Sequence, residues 1–206
     1  MISVEQALKQ ITDLFAPVST ETVALRHAAG RVLATDVHAK RDQPPFAASA
    51  MDGYAVRAAD ISHGATFHVI GEAAAGSGLA AKVNPGEAVR IFTGAPIPEG
   101  ADKVIKQEIT SRDGDMMKLT ELPENKNYIR PAGEDFCKGK SIKSPLLLTP
   151  GHIAMLAAMN IAEVPVRRRP IVAIIATGDE LVMPGETPGP DQIVASNIFG
   201  IAAMLE

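Results

Sequence analysis

Three acidic stretches are the places in this 206-residue chain where side chains could do chemistry: Asp52 in "AMDGY", Glu134-Asp135 in "PAGEDF" and Asp179-Glu180 in "TGDEL". Each sets an acid beside a glycine in a segment that reads as loop. Glycine lets the backbone come close to a ligand and adopt positive φ. Carboxylates on such loops suit a hard cation such as Mg²⁺, which prefers oxygen ligands and keeps several waters. Thr93, in "FTGAPIPEGAD", is a strand-end hydroxyl by default and a ligand contact by hypothesis. Arg130, just ahead of Glu134 and Asp135, can serve simply to pair with them. Taken singly, each acid is equally an ordinary turn or helix-cap residue. Arg167 to Arg169 reads as a solvated hinge that can also attract an anionic partner.

The surroundings of Asp52 are unusual. In "PPFAASAMDGYAV", residues 44–56, two prolines and a phenylalanine lead into small residues before one isolated carboxylate. Small side chains at 47–50 let the backbone pack tightly, and Pro44-Pro45 limits its freedom. The arrangement presents an acid without burying it.

Composition removes several functions. Lys+Arg of 20 against Asp+Glu of 24 gives no bias toward nucleic acid or an anionic membrane. Trp is absent and aromatics are 4%, too few for base-stacking platforms. Cys137 is the single cysteine, so no internal disulfide can form, which fits a reducing cytoplasm. The start "MISVEQALKQ" lacks the pattern of a secretory signal, and no apolar run reaches the ~18 residues a membrane helix needs. "GEDFCKGKS" imitates a phosphate-binding loop, yet five residues rather than four separate Gly133 from Gly139. "GSGLAA" imitates a dinucleotide fingerprint, yet Asn84-Pro85-Gly86 follows it where a helix is needed. The histidines show no metal-ligand spacing, and no serine-hydrolase elbow is present.

The elements that must position these acids read as α and β mixed. Residues 3–15 form an amphipathic helix with Ser3 and Gln6 as a capping box. Short alternating runs follow from about 20 to 40. "TFHVIGEA" and "EAVRIFTG" are strands with Pro85-Gly86 turning between them, and "ADKVIKQEITSRDGDMMKLTEL" reads as a hairpin turning at Asp113-Gly114. Thr149-Pro150 opens a second helix that Asn160 ends. "AEVPV" is a short strand. "IVAIIA", 171–176, is a continuous apolar run expected to be a buried parallel strand, and Ser196 caps a last helix. A strand of that kind needs neighbours, so the chain is expected to be the N-terminal part of a longer protein, ending inside an α/β domain.

"SAMDGYAV", "IFTGAPIPEGADKVIKQE", "IRPAGEDFCKG" and "ATGDELVMPG" occur together in the order and spacing of the molybdopterin molybdenumtransferase family (MoeA and the gephyrin E domain), which the chain resembles over nearly its whole length. The resemblance implies an α+β multidomain fold. Residues 1–40 and 141–168 would form a mixed helical and strand dimerisation domain, and 41–140 an inserted β-rich domain. Residues 169–206 would begin an α/β molybdopterin-binding domain. It also implies a cytoplasmic homodimer, without nucleic-acid or membrane partners, whose cleft lies between the β-rich domain of one subunit and the α/β domain of the other. The implied reaction inserts molybdenum from molybdate into adenylylated molybdopterin, releasing AMP with Mg²⁺ present. Carried over by motif, Asp52, Thr93, Asp135 and Glu180 would be catalytic. Ser49, Gly94, Thr177 and Gly178 would bind the pterin substrate, and Asp179 with Glu180 would hold the metal. The later family loops fall beyond residue 206, so the chain is expected to be inactive alone. A non-catalytic interaction scaffold of the gephyrin type is the alternative; a Mg²⁺-dependent nucleotide hydrolase is weaker, since no phosphate-binding loop survives inspection.

Overall fold

A computed structural model describes residues 2–205. The chain divides into two compact units, residues 20–167 and residues up to 19 together with those from 168 onward. Helix and strand are mixed, as expected.

The 20–167 unit contains two sheets with separate cores. The first is antiparallel and four-stranded, in the order β1 (Thr20–Ala24), β14 (Glu163–Arg167), β2 (Val32–Leu33), β13 (Leu146–Leu147). Val164 and Val166 alternate inward from β14 and are fully buried with Leu33. Helix α2 (Pro150–Ala158) completes this core with Leu156. The Thr149 hydroxyl accepts from His152 N–H, and His152 Nδ1 accepts from Thr149 N–H, so the helix start is capped in both directions. At the other end Asn160 takes φ 63°. There Asn160 N–H donates to Ala157 O and Ile161 N–H to Leu156 O, a Schellman stop. β3 (Val37–His38) and β12 (Ser141–Ile142) pair nearby, and Asp36 accepts from Lys143 Nζ at 2.7 Å and Ser144 N–H at 2.9 Å. These bonds tie residues far apart in sequence into one core.

The second sheet has six strands in the order β8 (Lys103–Lys106), β5 (Gly53–Val56), β7 (Glu87–Ile91), β6 (Thr66–Ala73), β10 (Met116–Leu119), β9 (Thr110–Asp113). Tyr54, Val56, Phe67 and Ile105 belong to one core cluster; Ala55, Val89, Ile91 and Val104 belong to another. β5 is therefore buried on both faces.

Two strand expectations change here. β6 and β7 run parallel, where a single turn at Pro85-Gly86 would have made them antiparallel. Gly86 does turn, with φ 77°, but residues 74–86 make a connection long enough for a crossover. "KVIK" pairs with β5, so the expected long hairpin shrinks to β9 and β10, whose turn holds Gly114 at φ 55°. A further short pair, β4 (Ala48–Ser49) with β11 (Ile129–Arg130), sits beside the sheet in sequence and carries the Asp52 loop.

In the other unit, helix α1 (Val4–Asp13) carries the expected capping box: Gln6 N–H donates to Ser3 Oγ and Ser3 N–H to Gln6 Oε1, both at 3.1 Å. β15 (Leu181–Val182) and β16 (Ile193–Val194) pair in parallel ahead of helix α3 (Asn197–Leu205). The run 171–176 is not a buried strand: it forms no ladder, and Ile171 and Ile175 are 93% and 81% exposed. A parallel strand exists only through bonds to its neighbours, and β15 and β16 bond to each other. Among the described residues no helix is long and apolar enough to cross a membrane.

Candidate functional site

Asp52 is held by a frame built around it residue by residue. Ser49 N–H donates to Ala95 O at 2.9 Å and Gly94 N–H donates to Ser49 O at 2.8 Å, which locks the 48–49 segment against the 92–96 loop. Ala50 N–H donates to Tyr128 O at 2.9 Å. Small side chains at 47–50 leave room for these main-chain approaches. Ser49 itself is buried, and its hydroxyl donates to Met51 O at 2.6 Å. That contact makes Ser49 a brace for the loop.

Gly53 explains why the acid is followed by glycine. A Cβ on it would lie 1.8 Å from the Ile105 carbonyl oxygen across the β5–β8 ladder. No side chain fits there.

The exposed carboxylate that results is oriented by one residue. Asp52 Oδ1 accepts from both Thr93 N–H and Thr93 Oγ1, each at 2.8 Å. Bonding from the Thr93 amide, then from its hydroxyl, with the positive charge of Arg90 adding, holds the Asp52 carboxyl below its ordinary range. The acid is an anion with Oδ1 engaged, and Oδ2 accepts from no described residue. Gly94, at φ 83°, makes the turn that brings Thr93 to it.

Asp135 is placed differently. Arg130 donates through Nε to Glu134 Oε2 and through Nη2 to Asp135 Oδ1, both at 2.7 Å. The fork binds both acids, and they in turn stabilise the guanidinium charge. Asp135 N–H donates to Gln43 O at 2.9 Å, and Gly133 N–H to Pro44 O at 2.8 Å, which fastens this turn to the chain leading into the Asp52 loop. Arg130 is opposite Ala48 in the β4–β11 ladder. Asp52, Thr93 and Asp135 thus belong to one connected set of loops in the 20–167 unit.

Thr177, Gly178, Asp179 and Glu180 lie in the other unit. Thr177 joins Ile175, Leu181, Ile193, Ser196 and Ile201 among the residues lining a cavity of about 290 Å³. Gly178 has φ 146°, and a Cβ on it would lie 2.5 Å from the Glu180 carboxylate. Glu180 O accepts from Ile193 N–H at 2.7 Å, which ties the acidic turn to β16. Among the described residues no group of three His, Cys, Asp or Glu converges as a metal cage. Mg²⁺ is commonly held by one or two carboxylates plus substrate phosphates, and Asp179 and Glu180 are the carboxylates this turn offers.

The sequence reading missed Arg90 and Gln107. Arg90 donates to Gly53 O and to Gln107 Oε1, and lies against the Phe92 and Tyr54 rings. The only signal was a lone arginine in the middle of the apolar run "AVRIF". Its partners come from other strands and could not be paired by spacing.

A family model described as the MoeA N-terminal region (domain I and II) matches residues 2–160. The molybdopterin molybdenumtransferase of Haemophilus influenzae is 39% identical, with the match covering 100% of this chain and 52% of that protein. That of Bacillus subtilis is 37% identical, over 95% of this chain and 48% of the other. A crystal structure of the molybdopterin biosynthesis MoeA protein from Pyrococcus horikoshii superposes with a TM-score of 0.89 at 36% identity, covering 100% of this chain and 56% of that one. The chain spans about half the length of the curated relatives it matches, in their N-terminal part.

Proposed function

The chain belongs to the MoeA family through its N-terminal region, and from that premise we propose that it is the N-terminal part of a molybdopterin molybdenumtransferase of molybdenum cofactor biosynthesis. The reaction we assign to the longer protein inserts molybdenum, supplied as molybdate, into adenylylated molybdopterin with release of AMP. The observation that carries this reading is the family match, together with an Asp52 held anionic and aimed by Thr93. In it, Asp52 and Thr93 act as a unit. The Thr93 hydroxyl donates its hydrogen bond to Asp52, which leaves its lone pairs to accept from a substrate group or a water. Asp52 Oδ2 is left to orient a water or accept a proton.

Asp135, held by Arg130, supports the same loops. Gly94 sets the Thr93 turn and Ser49 stiffens it, so both act through the backbone near the pterin substrate. Thr177 and Gly178 would face that substrate in the other unit. Asp179 and Glu180 would hold Mg²⁺, which supplies charge neutralisation at phosphate oxygens. The homodimer, the cytoplasmic location and the division into 1–40 with 141–168, 41–140 and the opening of an α/β domain at 169–206 belong to the same proposal. The separation of the first sheet's hydrophobic cluster from the two clusters on the faces of the six-stranded sheet supports the division.

The test is genetic. The longer protein containing this chain should restore molybdoenzyme activity to a cell lacking its own transferase. Normal expression with no restored activity would overturn the assignment.

A further inference from the structure

The two backbone carbonyls at Asp52 and Gly53 are each held from outside their own strand. Gln107 N–H donates to Asp52 O at 3.2 Å, and Arg90 Nη1 donates to Gly53 O at 2.9 Å. Arg90 Nη2 then donates to Gln107 Oε1 at 2.6 Å, which joins the two supports into one circuit. The guanidinium also lies over two rings, its Cζ 4.6 Å from the Phe92 ring centroid and 5.3 Å from that of Tyr54. A planar fork over two rings can satisfy two acceptors at once; an ammonium at the same place would be a point charge. Arg90 is only partly buried, so its charge keeps contact with water and does not need a carboxylate of its own.

We propose that Arg90 is a positioning residue for the transferase reaction, fixing the main chain through Gly53 and Gln107 so that the Asp52 carboxylate stays where Thr93 holds it. The inference rests on the role given to Asp52 above. The acid's circuit is Thr93 after β7, Gln107 after β8 and Arg90 on β7. Lys106, at the end of β8, is occupied by Glu124 at 2.9 Å and by the Tyr128 ring. Lys106 is thus engaged elsewhere, and Arg90 is the cation whose charge bears on Asp52 among the described residues.

Two arms separate this inference from the reading beneath it. In the first, the Asp52 carboxyl carbon is titrated by NMR in this chain and its Arg90→Met and Arg90→Lys variants. Arg90→Met should move the titration to higher pH, and Arg90→Lys, which keeps the charge and loses the fork, should restore it only in part; full restoration by Arg90→Lys would mean that charge alone acts and would overturn the clamp. An unmoved titration in Arg90→Met overturns the proposal. Should that variant fail to fold, Gln107→Leu removes only the acceptor of Arg90; it should move the titration the same way by less, and no movement overturns the proposal equally.

In the second arm, Arg90→Met in the longer protein should lower kcat about tenfold with KM little changed, the size typical of lost outer supports at a reactive site. Placed on Asp52→Asn it should cost nothing more; a further tenfold loss there would mean that Arg90 acts independently of Asp52. If Asp52→Asn proves fully active, the role of Asp52 fails, while the titration still decides whether the clamp exists.

Discussion

Residues 53–56 and 171–176 are both short uncharged runs, and they end in opposite states. "GYAV" contains a glycine and a tyrosine and looks a poor core strand, yet all four positions are buried between β7 and β8. "IVAIIA" is apolar throughout, yet Ile171 and Ile175 stand open to solvent. Burial of a strand is conferred by neighbours that accept its hydrogen bonds and cover its faces. Composition states only that covering would be favourable.

The contrast can be broken at both ends. Gly53→Ala should have the largest effect, because its Cβ would meet the Ile105 carbonyl at 1.8 Å and the sheet must part to admit it. A loss of roughly 3 kcal/mol or more is expected by urea unfolding, beyond ordinary overpacking. A variant of wild-type stability would show that β5 and β8 are not packed as described. Ile91→Ala, on the fully buried side of β7, should cost about 2–3 kcal/mol by the same measurement.

Asp36 sharpens the comparison through pH. Its carboxyl is lowered from 3.8 to about 2, chiefly by the Lys143 hydrogen bond and then by the Ser144 amide. A depressed carboxyl stabilises the fold above its unfolded value, and that contribution is lost as pH falls through the folded one. The thermal midpoint should therefore drop between about pH 4 and pH 2, and Asp36→Asn should flatten that part of the curve. An unchanged curve would remove the Lys143 contact from the account. The smallest effect belongs to the other run. Ile175→Ala, at 81% exposure, should stay within about 0.5 kcal/mol of wild type; a loss of several would mean that the residue is covered.

What could be read in advance was what one stretch of chain decides for itself. Ser3 with Gln6, Thr149-Pro150, the stop at Asn160 and the tight turn at Gly114 all rest on contacts a few residues long, and all are present. The parallel pairing of β6 with β7 was not legible, because a turn residue fixes a local bend and not the route of a long connection. The state of "IVAIIA" was misread for the reason given above. At the site, the acids and Thr93 were visible as residue types. The bond from Thr93 to Asp52 spans 41 positions, so it needed the fold. Arg90 and the steric reason for Gly53 arise from ladder neighbours, and no spacing rule reaches them.

The two acid clusters of the 20–167 unit differ in the same instructive way. Asp135 is paired with an arginine fork it shares with Glu134, while Asp52 is held by a neutral threonine that leaves its second oxygen for use. The most direct test replaces Asp52 with Asn in the longer protein. The amide oxygen can accept both Thr93 bonds, so the fold stays intact and only the charge is lost. Molybdenum insertion should fall about a hundredfold, the scale of one lost acid–base group, with an unchanged thermal midpoint. Full insertion activity in that folded variant would contradict the account.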